Sequence, residues 1–233
     1  MGQLMWYTTK VVPEVENEVR ELAVHMIHPG TEHWKALGCL IIYLKGKKVK
    51  VIIIRKPKVL KAVMFCDSNH SIEKETIKSV SGLVATLGWT LITCFSKTHT
   101  TVTMSITEAE YVVLSACTQE LKFVTRFLEK MTEVQKNFVA YEDNQGAIFL
   151  AKNRQVGIST KHIDIRHHFL RDMVEDKDID IQYIWSENNP AYIMTKNTPE
   201  VDFEMHVKRT TDGELWELLN TGRNNVKNNR VTL

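Results

Sequence analysis

Three carboxylates occur where predicted strands end or a helix begins. Asp67 closes the apolar run LKAVMFCD, Asp143 closes NFVAYED, and Glu110 follows the start of a long helical pattern near Thr107. If the two strands are neighbours and the helix packs across them, the three side chains converge. Carboxylates held this close repel one another unless a cation lies between them. Oxygen ligands select Mg²⁺ or Mn²⁺, and two such ions, about 3.5–4 Å apart, can cleave a phosphodiester.

Each of these carboxylates also has an ordinary structural explanation. Aspartate is common in turns, so Asp67 could simply end its strand. Asp143 precedes Asn144, where a turn or a helix cap is equally consistent with the sequence. Glu110 alone is typical of a solvated helix position. The spacing therefore leaves both the metal-site hypothesis and the structural roles open.

The elements around these residues predict a mixed sheet covered by helices. From residue 60 the order is strand, strand, strand, helix, strand, helix, helix, strand, helix, with a hairpin around Gly88 and Trp89. We expect the Asp67 strand to pair antiparallel with the run near Leu83 and parallel with the strand before Asp143. The long helix should cover one face of the sheet with four apolar residues: Val113, Leu114, Cys117 and Leu121.

The first 58 residues have a different character. Helical spacing extends to about residue 45, with a Pro-Gly break in HPGTEHW after which Thr31 is expected to cap the next helix. The run KGKKVKVIIIRKPKVLK then carries eight basic residues and no acid, and its apolar centre predicts a strand over 51–54. A solvated strand face and a phosphate-binding surface remain alternatives for this run. The lysines that we assign to phosphate contact are Lys47, Lys48 and Lys50.

Composition limits the broad class of the protein. The chain has 233 residues, 43% of them hydrophobic, and a formal net charge of +2, which is typical of a globular protein. Its four scattered cysteines form no CxxC pair and suggest reduced thiols in an intracellular protein. We find no signal peptide, and the run ALGCLIIYLKG is too short to span a bilayer, so no membrane association is expected.

Four motifs occur in a fixed order along the chain: SITEAEYVVLSA, YEDNQGAIFLAKN, TKHIDIRHHFLRD and NPAYIMTK. Together they resemble the ribonuclease H domain at the end of copia-type (LTR) retrotransposon polyproteins, whose usual forms are close to SSTEAEY, DNQSAIxLAKN, TKHIDIRYHFxR and ADIxTK. The stretch before them resembles the end of the reverse transcriptase region. The resemblance covers roughly residues 2 to 206.

The resemblance implies an α/β fold with a ribonuclease H-like, mixed five-stranded sheet flanked by helices and preceded by a helical extension. Residues 1–58 would be a helical remnant of the reverse transcriptase connection region with a basic linker. Residues 59–210 would form the ribonuclease H-like domain, and residues 211–233 a carboxyl-terminal tail.

The resemblance also implies an activity and its residues. The activity is metal-dependent hydrolysis of the RNA strand of RNA–DNA hybrids, which leaves a 3′-hydroxyl and a 5′-phosphate. Asp67 would bridge two Mg²⁺ or Mn²⁺ ions, while Glu110 and Asp143 would each hold one. Glu110 is chosen over Glu108 because AEYVVLSA matches the AELxAL helix start of other ribonucleases H, which leaves Glu108 as the capping residue.

One departure from the family pattern concerns the metal site itself. The fourth family carboxylate, the aspartate of ADIxTK, falls on Tyr192, and a phenol with a pKa of about 10 is a poor Mg²⁺ ligand. The alternative function is therefore a catalytically impaired, nucleic-acid-binding module or a relic.

The implied partners are an RNA–DNA hybrid and a reverse transcriptase domain. Four further residues are assigned to hybrid binding: Asn144, Gln145, Arg166 and His168. Trp89 and Trp185 are expected in the core rather than against bases.

Overall fold

The computed structural model describes residues 1–46, 54, 60–70, 78–88, 90–99, 102–131, 137–153 and 161–211. Within them, five strands form one mixed sheet in the order β3-β2-β1-β4-β5. β1 pairs antiparallel with β2 and parallel with β4, and β5 continues the parallel part beside β4. The predicted pairings and the predicted fold class are confirmed. The strands are β1 (Ala62–Asn69), β2 (Val80–Leu87), β3 (Thr90–Thr98), β4 (Phe138–Glu142) and β5 (Ile179–Tyr183).

Helices flank both faces of the sheet in the described part of the chain. Three of them precede the first strand: α1 (Gly2–Lys10), α2 (Glu16–Val24) and α3 (Thr31–Gly46). Four lie within or after the sheet: α4 (Ile106–Met131), α5 (Gln145–Lys152), α6 (Lys161–Glu175) and α7 (Glu200–Thr211). Short 3₁₀ turns connect some of these elements, and the turn Pro190–Met194 is the one that matters most for the site.

One face of the sheet is covered by α4, as predicted. The apolar side chains of α4 recur at helical spacing, so they lie on one stripe and pack together against the central strands. Each fully buried leucine of this stripe contributes about 1.5–3 kcal/mol of transfer free energy. The four predicted residues, Val113, Leu114, Cys117 and Leu121, are all completely buried. Because α4 is fixed in this way, the residues at its amino-terminal end are held beside β1.

The opposite face of the sheet is covered by the turn Pro190–Met194 and by α7. Val207 of α7 packs in an apolar cluster with residues of that turn and of the central strands. Gly82 of β2 is the residue paired with Asp67 in the register. A Cβ atom at Gly82 would lie 2.7 Å from Cγ2 of Thr195 and 2.9 Å from the carbonyl oxygen of Ala191. Only glycine therefore lets this turn approach the sheet next to Asp67.

The amino-terminal helices pack on the same face as α7. Arg20 of α2 donates a hydrogen bond from Nε to Oγ of Ser96 on β3, at 3.0 Å. Nδ2 of Asn17 donates to Oδ1 of Asn197, also at 3.0 Å. A small apolar cluster of α2 and α3 extends to Phe203 of α7. The extension is thus joined to the sheet by polar and apolar contacts, while the domain boundary after residue 58 stays a prediction.

Four local expectations need correction or lie outside the described residues. Thr31 is the first residue of α3 rather than its cap. The side chain of the third helical residue, His33, accepts the N–H of Gly30 through Nδ1 at 2.8 Å, so the capping contact is made one residue earlier, at Gly30. The segment NPAYIMTK forms a 3₁₀ turn, although Asn189 caps it as expected. The predicted strand over 51–54 falls on residues outside the description except for Ile54, which is not in a strand. Trp89, which was predicted to lie in the core, is also outside the described residues.

The four cysteines are free thiols; Cys39 is exposed and the other three are buried. No helix in the described ranges combines the length and the apolar composition that crossing a membrane requires.

Candidate metal centre

Three elements bring the predicted carboxylates together. Asp67 lies on β1, Asp143 directly follows β4, and Glu110 lies just past the first turn of α4. One carboxylate oxygen from each of the three residues lies within 4.8 Å of the others. The parallel pairing of β1 with β4 brings the two aspartates to the same edge region, and the packing of α4 against β1 supplies the glutamate. The predicted convergence is confirmed.

Glu108 and Glu110, the two glutamates at the start of α4, have different surroundings and therefore different roles. Oε2 of Glu108 accepts a hydrogen bond from the backbone N–H of Met104 at 2.8 Å, and Oγ of Ser105 accepts one from the N–H of Glu108 at 3.1 Å. Both bonds cap the start of α4, one through the Ser105 hydroxyl and one through the Glu108 carboxylate. Glu110 is 5% exposed and points inward. The structure thus gives Glu108 the capping role and places Glu110 in the cluster.

Asp67 is fully buried and has two protein donors. The hydroxyl of Thr195 donates a hydrogen bond to its Oδ2, and Nζ of Lys196 lies 3.4 Å from its Oδ1. The backbone that carries these donors is tied to β1 on both sides. Nδ2 of Asn189 donates to the carbonyl of Cys66 at 2.6 Å, and Nδ2 of Asn69 donates to the carbonyl of Thr195 at 3.2 Å.

Sequence reasoning missed a fourth carboxyl group at this site. Glu142, the last residue of β4, is fully buried. Side chains alternate along a strand, so Glu142 shares the α4-facing side with Phe138 and Ala140. Its Oε1 accepts a hydrogen bond from the N–H of Asn144 at 3.1 Å. Among the described residues its buried Oε2 has no partner, and neither has Oε2 of Glu110. The alternation in FVAYE was the signal that could have found it.

Burial and mutual repulsion raise the pKa values of these acids. Burial raises the pKa of Glu110 to about 12, and the charges of Glu142, Asp67 and Asp143 add to this effect. Burial also raises the pKa of Asp67 to about 6, with Lys196 opposing the shift and Asp143 adding to it. The pKa of Glu142 lies well above its usual range because of burial and then the charge of Asp143.

The donor set fits a divalent cation. Three carboxylate oxygens converge within 4.8 Å, and a buried oxygen of Glu110 has no hydrogen-bond donor in the part of the chain that the structure describes. A hard cation would supply the missing positive charge and would replace the protons that the raised pKa values otherwise require. The residues that would hold it are Asp67, Glu110 and Asp143.

The residues around Asp143 have defined structural roles. Oγ of Ser186 donates to Oδ2 of Asp143 at 2.6 Å, which fixes the orientation of that carboxylate. Oδ1 of Asn144 accepts from the N–H of Ala147 at 3.0 Å, so Asn144 caps α5. Gln145 is exposed at the start of α5.

The other candidates for hybrid binding are less fully described. His168 is exposed on α6. Arg166 belongs to the same helix, but its side chain lies outside the description, and so do Lys47, Lys48 and Lys50. Their contact with nucleic acid stays a prediction.

Two aromatic residues lie near the cluster. Tyr192 is half-buried, and Nζ of Lys196 lies 4.4 Å from the centre of its ring. The position where the resembling family has its fourth carboxylate is therefore occupied by an aromatic ring that contacts the ammonium group of Lys196. The core expectation for Trp185 is wrong, because this residue follows the edge strand β5 and is 50% exposed. Its ring meets that of Tyr183 edge to face, with centroids 5.4 Å apart.

The sheet order and the acid cluster together define a ribonuclease H-like domain. The chain is homologous to a segment of the retrovirus-related Pol polyproteins of plant transposons, which confirms the resemblance to retrotransposon polyproteins. It is 32% identical over 206 residues to the Pol polyprotein from transposon TNT 1-94 of Nicotiana tabacum, a match that covers 88% of this chain. It is 28% identical over 193 residues, or 82% of this chain, to the Pol polyprotein from transposon RE2 of Arabidopsis thaliana.

This chain spans only 15% and 13% of the lengths of these two polyproteins. Among solved structures, it is similar to the amino-terminal ribonuclease H domain of a Mycobacterium tuberculosis protein fused to maltose-binding protein. That similarity has 12% identity and a TM-score of 0.43, and it covers 64% of this chain and 97% of the other. No protein-family model matches the chain.

The raised pKa of Glu110 leads to a stability prediction. Between pH 4.5 and 7.5 the folded state retains a proton on Glu110 that the unfolded state loses, so this group destabilises the fold progressively as the pH rises. Glu110→Gln should therefore become more stable than the wild type in EDTA, by up to about 1.4 kcal/mol per pH unit. Urea unfolding at several pH values measures the difference.

The control for this experiment is Glu129→Gln, which removes an exposed carboxylate from the same helix. A difference between Glu110→Gln and the wild type that does not grow with pH, or that grows equally in the Glu129 variant, would contradict the assignment of Glu110 to a crowded, buried acid cluster.

Proposed function

We propose that this chain is a metal-dependent endonuclease that hydrolyses the RNA strand of RNA–DNA hybrids. Homology and fold support the coarser statement that it is a ribonuclease H-like domain of a retrotransposon polyprotein. The observation that carries the finer proposal is the convergence of Asp67, Glu110 and Asp143 within 4.8 Å. We further propose that it works inside the cell with a reverse transcriptase domain, which its free thiols and the Pol polyprotein homology support.

The three carboxylates would hold Mg²⁺ or Mn²⁺. Bound there, the metal would activate a water molecule and stabilise the leaving oxygen of the phosphodiester. The protein's own contribution is to fix its ligands. Ser186 orients Asp143, and Thr195 orients Asp67. Glu110, whose buried Oε2 has no hydrogen-bond partner among the described residues, would orient the attacking water near the RNA 2′-hydroxyl, the group that distinguishes RNA from DNA.

The surface near Asp143 offers contacts for a hybrid. Trp185 is half-exposed and directly precedes Ser186, which bonds to Asp143. An exposed indole beside a phosphodiester-cleaving centre can pack against a sugar or a base. Gln145 and His168 are exposed polar residues on the elements that follow β4. We assign these side chains, with Asn144 and Arg166, to hybrid contact.

A cleavage assay with matched substrates tests this proposal. The labelled RNA strand is presented as an RNA–DNA hybrid, as duplex RNA and as a single strand, each with Mg²⁺, Mn²⁺ or EDTA. We expect slow cleavage of the hybrid alone, faster in Mn²⁺ than in Mg²⁺ because Mn²⁺ binds a given oxygen and nitrogen site more strongly. Cleavage that persists in EDTA or that favours duplex RNA would contradict the proposal.

The basic run gives a separate binding prediction. Hybrid affinity should fall steeply with salt, because phosphate contacts release counterions. Replacing Lys47, Lys48 and Lys50 with Gln should flatten the slope of log affinity against log salt by up to about one unit per lost contact. Fluorescence anisotropy at several salt concentrations measures it.

A control variant for the salt titration carries three lysines replaced elsewhere: Lys10, Lys35 and Lys130. An unchanged slope in the first variant, or equal flattening in the control, would show that the basic run is merely solvated.

One observation favours the alternative function, a binding module or relic without catalysis. Tyr192 stands where the family has an acid, and it supports Lys196 beside Asp67. A binding module would bind the hybrid in EDTA and would cleave it in neither metal, whereas a relic would do neither. Binding without cleavage would identify the module, and loss of both activities would identify the relic.

A further inference from the structure

The acid cluster contains a cation of its own. Asp67, Glu110 and Asp143 converge within 4.8 Å, and the fully buried Glu142 adds its charge to theirs. The ammonium of Lys196 opposes the charges of Asp67 and Glu110. Its Nζ lies 3.4 Å from Oδ1 of Asp67. With the Thr195 hydroxyl on Oδ2, both oxygens of Asp67 have protein donors. Each carboxylate oxygen has two lone pairs, and one on each oxygen of Asp67 already accepts a protein donor, which leaves fewer positions for an aspartate that bridges two metal ions.

The position of Lys196 is fixed from several sides. The Tyr192 carbonyl accepts hydrogen bonds from the N–H groups of Thr195 and Lys196, at 3.2 and 3.1 Å. The Tyr192 ring then lies under the ammonium, 4.4 Å from Nζ, in a geometry that a cation–π interaction stabilises. The side chain of Lys196 is 30% exposed, so its stem is largely packed. This ammonium is a built feature of the turn rather than a solvated surface charge.

We propose that the Lys196 ammonium is a resident cation that takes the place of one metal ion, so that this chain binds a single divalent ion. The inference rests on the metal centre of the proposed function and deepens it. At position 192 a carboxylate would attract a second metal, whereas the Tyr192 ring attracts an ammonium. The single ion would then be held by Glu110, by Asp143 and by a lone pair of Asp67 that neither Thr195 nor Lys196 uses.

The test measures metal binding and needs no cleavage. The full chain is titrated with MnCl₂ while calorimetry and the electron paramagnetic resonance signal of free Mn²⁺ monitor binding. The wild type should bind one Mn²⁺ ion tightly. Lys196→Met should bind two ions, the first of them roughly 10- to 100-fold tighter, because a competing charge has been removed from the ligand shell. Lys196→Arg retains the charge and should bind one ion.

Lys97→Met is the matched control. Lys97 also combines an ion pair, 3.5 Å to Glu120, with a ring contact, 4.2 Å to Phe95, but it lies on β3 away from the cluster. Its removal should leave the number of ions and the affinity unchanged. Lys196→Gln, which can still hydrogen-bond to Asp67 without a charge, covers the case in which Lys196→Met does not fold, and it should also bind two ions.

Four outcomes separate this inference from the proposed function. One ion in the wild type and two in Lys196→Met without hybrid cleavage would support the inference and overturn the nuclease. Two ions in both proteins would overturn the inference, with cleavage still deciding the function. One ion in both would also overturn it, because Lys196 would not be what excludes the second. No binding in either would overturn both.

Discussion

Asp67→Asn is expected to reduce hybrid cleavage by about 10³-fold or more. Asp67 is fully buried at the meeting point of β1, α4 and the segment that carries Lys196, and one of its oxygens lies within 4.8 Å of an oxygen of each of the other two carboxylates. Asparagine keeps the shape but loses the negative charge that a divalent ion requires. A metal ion supplies several kcal/mol of transition-state stabilisation, and each 1.36 kcal/mol is a factor of ten in rate. Single-turnover cleavage with excess protein gives the rate directly.

The control for Asp67→Asn is Asp176→Asn, at an exposed position after α6, which should cleave at the wild-type rate. Thermal unfolding in EDTA at pH 7.5 should show that Asp67→Asn still unfolds cooperatively, because loss of the acceptor of Lys196 is offset by loss of a buried charge whose pKa burial has raised. A variant that is folded and still cuts within tenfold of the wild type would remove Asp67 from the chemistry.

Tyr192→Asp is expected to accelerate Mg²⁺-dependent cleavage by about 10- to 100-fold, the usual effect of a group that supports a metal site. The substitution restores an acid at the fourth family position and removes the ring from under Lys196. The new carboxylate also gives Lys196 another partner, which weakens its hold on Asp67. Rates in Mg²⁺ and Mn²⁺ should be compared, because the gain should be larger in Mg²⁺, the weaker binder.

Tyr192→Phe is the matched variant for this comparison, since it keeps the ring and the support of Lys196 but loses the hydroxyl. It should cleave like the wild type. If Tyr192→Asp is no faster than Tyr192→Phe, the fourth carboxylate does not limit this protein. A wild type that already cuts rapidly in Mg²⁺ would lead to the same conclusion.

Periodicity and strand ends predicted most of the sheet and three of the four acids of the cluster. Apolar runs closed by Asp67 and Asp143 predicted the strands, and the helical stripe of α4 predicted which face it covers. These features are local, because a residue's neighbours at spacing two or four decide them. The choice of Glu110 over Glu108 came from a family motif, and the capping bonds of Glu108 explain it physically.

The features that sequence reasoning missed depend on distant parts of the chain. Glu142 is an acid on the buried side of a strand, and its significance depends on α4 placing Glu110 opposite it. The contact of Lys196 with Asp67 joins residues 129 positions apart. It requires Gly82 to leave space for the turn that follows Pro190. Local patterns contain no information about such an approach. Trp185 was wrongly predicted to lie in the core, because its exposure depends on β5 being an edge strand, which the local sequence does not indicate.

The most direct test of the proposed nuclease is the cleavage of a hybrid with a labelled RNA strand by the wild type in Mn²⁺, with Asp67→Asn prepared in parallel as the blank. We predict RNA fragments with 3′-hydroxyl and 5′-phosphate ends that form in Mn²⁺, disappear in EDTA and are absent with Asp67→Asn. Binding of the hybrid without fragments in either metal, or equal cleavage by both proteins, would contradict it.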